Sequence, residues 1–115
     1  MAGVTIQMTS KKQCSLQKVY EKIHCIEDIQ QVSKSVQKIN GVIIWSLIYE
    51  KVYFLTGGYM NLTVVLTEYD QEQTAYIVAS GMANLGLGAN RKFAKTCVSA
   101  LESCGFAVVK SDLDK

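Results

Sequence analysis

No stretch of this sequence approaches the ~20 consecutive apolar residues that a membrane-spanning helix needs; the longest is broken by Ser46 and again by Glu50 and Lys51. Nor does Met1–Ser10 hold a basic segment followed by an unbroken apolar run, so it does not read as a secretory signal. The expectation is a cytoplasmic protein with no membrane role. Charge of one sign is also lacking: 12 Lys and Arg stand against 10 Asp and Glu, leaving a net charge of +2 spread along the chain. That balance supplies no concentrated field for a polyanion and argues against nucleic-acid binding.

Metal-ligating residues are few. There is one histidine, His24, and the four cysteines, Cys14, Cys25, Cys97 and Cys104, contain no CxxC pair. Zinc requires four suitable groups, so neither a metal nor another cofactor is expected. Cys25 adjoins His24, but neighbours on a helix point ~100° apart, which argues against a nucleophile–base couple. Two disulfides are conceivable, yet 115 residues can bury a core without staples and no export signal is present, so reduced thiols are expected. Repeats, low-complexity segments and linkers are absent too, giving a single domain over residues 1–115 with a polar tail, 110–115, expected to fray. The sequon Asn61-Leu62-Thr63 falls in an expected strand and is read as chance.

What is present is a globular composition, 49% hydrophobic and 19% charged, which excludes a disordered chain. Val4, Ile6 and Met8 alternate with Thr5, Gln7 and Thr9, the two-residue period of a half-buried strand. From the candidate N-cap Ser15, apolar residues recur at Leu16, Val19, Tyr20, Ile23, Ile26, Val32, Val36 and Ile39. That spacing predicts helix to Asn40, either one rod or two helices broken near Cys25–Asp28, with Asn40-Gly41 as the stop. The lysines at 11, 12, 18, 22, 34 and 38 would solvate its outer face. Val42–Leu55, Met60–Tyr69 and Thr74–Ser80 then read as an antiparallel meander turned at Gly57-Gly58 and Asp70–Gln73. Met60, Leu62, Val64 and Leu66 share the core face, whereas Val42–Leu55 has apolar residues in both phases and no readable register. A second helix from about Ala89 or Asn90 carries Phe93, Cys97, Ala100, Leu101 and Cys104 on one face and stops at Gly105, before a short strand, Phe106–Val109. The fold class is α+β in the order β-α-β-β-β-α-β, a mostly antiparallel sheet with a central three-stranded meander and helices on one face.

Tyr49-Glu50-Lys51, Asn61-Leu62-Thr63-Val64, Ser80-Gly81, and Phe93 leading to Gly105-Phe106 form an ordered series that resembles small bacterial proteins grouped as a domain of unknown function. The likeness covers residues 43–106. Those proteins carry a longer glycine run after the third meander strand, where this chain has Gly81-Met82-Ala83-Asn84. The resemblance implies a compact α+β unit and no activity.

Two regions are candidate sites, and no catalytic residue stands out. The first is the glycine-rich loop before the second helix, where Gly86, Gly88, Arg91 and Lys92 would offer backbone amides and two cations to a small anionic ligand. Leu87 after Gly86 breaks the phosphate-loop pattern and Arg91 breaks the dinucleotide pattern, so tight turning explains these glycines as well. The second is aromatic: Trp45, Tyr49, Tyr53 and Tyr76 belong to the meander, and an aromatic outer sheet face would need a cover. The leading expectation is therefore a non-enzymatic domain that binds itself, as a homodimer or larger assembly. Glu50, Glu68, Asp70 and Glu72 fall in strands and turns where solvation is the default.

Overall fold

Alternation along the strands decides the architecture. A computed structural model of the chain describes residues 3–53, 58–81 and 87–111, with the side chains of 52, 53, 58, 59 and 87–90 outside the description. In chain order the elements are β1 (Val4–Lys11), α1 (Leu16–His24), β2 (Gln30–Ile39), β3 (Val42–Tyr53), β4 (Gly58–Tyr69), β5 (Glu72–Ser80), α2 (Leu87–Glu102) and β6 (Ala107–Ser111). The strands form one antiparallel sheet ordered β2-β3-β4-β5-β1-β6. The α+β class, the antiparallel meander and the succession of strand, helix, meander, helix and strand are as the sequence implies.

Cross-strand partners share a face, so the register sorts every side chain. The row Tyr49, Leu62, Ala79 and Val4 and the row Leu47, Val64, Ile77 and Ile6 are buried together on one face. Each such aliphatic side chain stabilises the fold by ~1.5–3 kcal/mol on full burial. α2 covers this face, lying against β5, β1, β4 and β6, and α1 packs beside α2. Leu16, Val19 and Ile23 of α1 and Phe93, Ala94, Cys97 and Leu101 of α2 complete the core. Ser15 caps α1, its hydroxyl accepting from the Lys18 amide at 3.2 Å.

The helical reading of residues 15–40 is corrected in its second half. Helix ends at His24, and Gln30–Ile39 is a ten-residue strand paired with β3. Asn40 (φ 50°) and Gly41 (φ 83°) do not stop a helix but form the two-residue connection of the β2–β3 hairpin, both left-handed as the favoured twist requires. Asp70 (φ 50°) and Gln71 (φ 68°) serve the β4–β5 hairpin in the same way. All ten β2 residues are exposed, so no core face imprinted a two-residue apolar period, and Val32, Val36 and Ile39 fall by chance at helical spacing. Lys34 and Lys38 therefore sit on a sheet edge, where a lysine discourages pairing with another chain.

Candidate functional site

The register places the candidate aromatic residues on opposite faces. Trp45 and Tyr49 share the face of Leu47, beneath the helices, and are only 8% and 0% exposed. They cannot form an uncovered aromatic surface, which corrects their assignment to one. Tyr53 ends β3 and its side chain lies outside the described residues. Tyr76 is on the outer face and 43% exposed.

Trp45 and Tyr49 instead anchor a cluster that sequence reasoning missed. Tyr20 and His24, one turn apart on α1, reach over β3: the Tyr20 ring lies 5.5 Å from Trp45 and 5.4 Å from His24, and the His24 ring 6.3 Å from Tyr49. Lys34 enters from β2, its Nζ 4.3 Å above Tyr20 and 5.1 Å from Trp45, a cation–π arrangement. The Tyr20 hydroxyl donates to Gln31 Oε1 at 2.6 Å. The usable signal was the pair of four-residue spacings, Tyr20/His24 on a helix and Trp45/Tyr49 on a strand.

Tyr49 and the neighbouring Cys97 are chemically quiet at neutral pH. The Tyr49 hydroxyl is buried with no hydrogen-bond partner among the described residues. Burial, and then the nearby Tyr20 and Cys97, push the phenol well above its ordinary range. Burial also pushes the Cys97 thiol up to about 12. Both groups stay protonated and shielded, the opposite of an activated nucleophile or a base poised near neutrality.

Of the candidate anion site, only part lies within the described residues. Gly86 lies outside the described residues, and α2 starts at Leu87, so Gly88 falls in its first turn. Arg91 is half-buried and engaged within the fold, while Lys92 is exposed. Arg91 and Lys92 thus both belong to the first half of α2. Among the described residues no three of His, Cys, Asp and Glu gather closely enough to hold a metal ion, and no helix is long and apolar enough to cross a membrane.

The outer sheet face is the more unusual surface. Three cross-strand rows run over β3, β4, β5 and β1: Ile44, Thr67, Thr74, Thr9; then Ser46, Val65, Tyr76, Gln7; then Ile48, Thr63, Val78, Thr5. None of the twelve is charged, and seven are only partly exposed despite having no helix above them. The Thr67 and Thr74 hydroxyls hydrogen-bond each other across the strands. Charge begins outside these rows, at Glu50 on one side, at Glu72 and Lys11 on the other, and at Lys110 of β6, which pairs with Gln7 at the end of the middle row.

No family model matches the chain, and no curated protein matches it either.

Proposed function

We propose that the protein is a non-enzymatic binding module of the cell interior that associates with a second copy of itself through the outer sheet face. The observation that carries this reading is the block of twelve uncharged residues on that face. In a two-fold dimer a surface meets itself, so any charge at its centre faces its own copy unless offset. A charge-free centre removes that repulsion, and its β-branched residues and Tyr76 offer apolar area. Four strands at ~4.8 Å spacing and six residues of strand length outline a patch of roughly 19 by 20 Å, or ~770 Å² over two copies, the size of a weak, reversible interface. Sheet-on-sheet packing at ~10 Å would bury it.

Native mass spectrometry and sedimentation equilibrium of the full chain test this. The expected species is about 25 kDa, twice the 12.7 kDa chain. Val65→Lys and Tyr76→Asp, which put a charge at the centre of the patch, should each return the 12.7 kDa monomer with an unchanged circular dichroism spectrum. A wild-type monomer up to ~100 μM, or variants that still dimerise, would overturn the reading; ~100 μM is a concentration at which even weak dimers populate.

A further inference from the structure

Cys14 precedes α1 and Cys104 follows α2, at opposite ends of the chain, yet the two turns lie together. Gln13 packs directly on Gly105, so closely that a Cβ at Gly105 would stand 2.5 Å from Gln13 Cδ. The next residue pair is Cys14 and Cys104: Cys14 packs against the core to which Cys104 belongs, and the two thiols lie near enough for the charge of one to act on the other. The Cys14 backbone is held in place as well, its carbonyl accepting from Gln73 Nε2 at 2.8 Å. Cys104 is buried, Cys14 half-buried, and all four cysteines are free thiols.

We propose that Cys14 and Cys104 are a redox-responsive pair that closes into a disulfide when the protein meets a small-molecule disulfide such as oxidised glutathione. Cys14, the accessible member, attacks one sulfur of the oxidant as its thiolate; the oxidant's S–S bond breaks and one small thiol leaves with a proton. Cys104 then loses its proton and attacks the Cys14 sulfur, forming the Cys14–Cys104 bond and expelling the second small thiol. Two protein thiols are oxidised and one small disulfide is reduced to two thiols. Burial and the neighbouring Cys14 hold the Cys104 thiol above its ordinary range, against the opposing pull of Ser103 and Lys22, so Cys104 rests as a thiol screened from the oxidant. Cys25 is exposed and can take up the oxidant only as a mixed adduct, whereas Cys97 is sealed in the core. The new bond would clamp the start of α1 to the end of α2 and fix the helix layer over the sheet.

The test is oxidation of the full chain with oxidised glutathione, followed by alkylation and peptide mapping by mass spectrometry. Expected are a Cys14–Cys104 linked peptide, two fewer alkylatable thiols apart from any adduct at Cys25, and a Tm rise on the order of 10 °C that dithiothreitol reverses. Cys25→Ser should keep both linkage and rise. Cys104→Ser should leave a persistent glutathione adduct on Cys14; Cys14→Ser, at the half-exposed position, should abolish linkage and rise whether or not the Cys104 variant folds. A stable adduct on Cys14 of the wild-type protein with Cys104 still alkylatable, or a Tm rise that survives Cys14→Ser, would overturn the proposal.

Discussion

The side-chain amide of Gln73 donates to the backbone carbonyl of Cys14 at 2.8 Å, joining residues 59 positions apart. Gln73 is the second residue of β5 and is fully buried; Cys14 lies in the turn from β1 into α1. The same Nε2 donates to Glu68 Oε1 at 2.8 Å, and Lys12 Nζ meets Glu68 Oε2 at 3.0 Å. One buried amide thus fastens the end of the β4–β5 hairpin to the entry of the first helix.

Gln73→Leu should lower stability by about 1–3 kcal/mol, because it leaves the Cys14 carbonyl and a Glu68 oxygen without their donor at a buried position. Urea titration monitored by Trp45 fluorescence measures this. An unchanged midpoint would mean that both acceptors find other partners.

Tyr49→Phe should have the opposite sign. The Tyr49 hydroxyl is buried without a hydrogen-bond partner among the described residues, so deleting it removes a desolvation penalty and leaves the ring packing intact. A gain of about 1 kcal/mol is expected, seen as a Tm increase of ~4–8 °C in calorimetry.

Glu68 carries the clearest pH dependence. Burial raises its carboxyl pKa, but hydrogen bonds from Gln73 and Lys12, together with the Lys12 charge, outweigh burial and hold it below the ordinary range. A carboxylate depressed in the folded state contributes stability above its unfolded pKa, about 4.3, and loses it as pH falls through the lower folded value. The stability difference between wild type and Glu68→Gln should therefore be constant from pH 7 to about pH 5 and shrink below about pH 4. Denaturant midpoints at each pH give that difference directly.

Gly105→Ala should cost stability for two separable reasons. Gly105 sits at φ 91°, where an L side chain is strained, and its new Cβ would meet the Gln13 side chain at 2.5 Å. The strain alone is worth about 1 kcal/mol. Adding Gln13→Ala should relieve the clash and leave the backbone strain, so the double variant should fall between Gly105→Ala and wild type in thermal melts.

The meander was legible because its second strand keeps one phase throughout: Met60, Leu62, Val64 and Leu66 are all buried. β3 was not, since Ile44, Ile48 and Val52 alternate with Trp45, Leu47 and Tyr49 and either phase could face inward. Only pairing with β4 settles it, and pairing depends on contacts distant in sequence. β2 was missed for a related reason: with no core face, its apolar residues carry no strand period, and Asn40-Gly41 was weighed as a helix stop when its stronger reading is a hairpin. The approach of Cys14 to Cys104 was illegible because it depends on how two turns at opposite ends of the chain, where Gln13 packs on Gly105, are folded together.

Because β2 is bonded to the sheet along one side only, its ten residues form a margin that can lift without opening the core. A strand held at one seam opens locally at a small fraction of the global unfolding free energy. Its amides should exchange with deuterium long before those of β4, which is paired on both sides. Detachment would also withdraw Lys34 from the Tyr20 and Trp45 rings, so the indole emission becomes a built-in reporter of fraying at that margin, readable while the rest of the sheet stays closed.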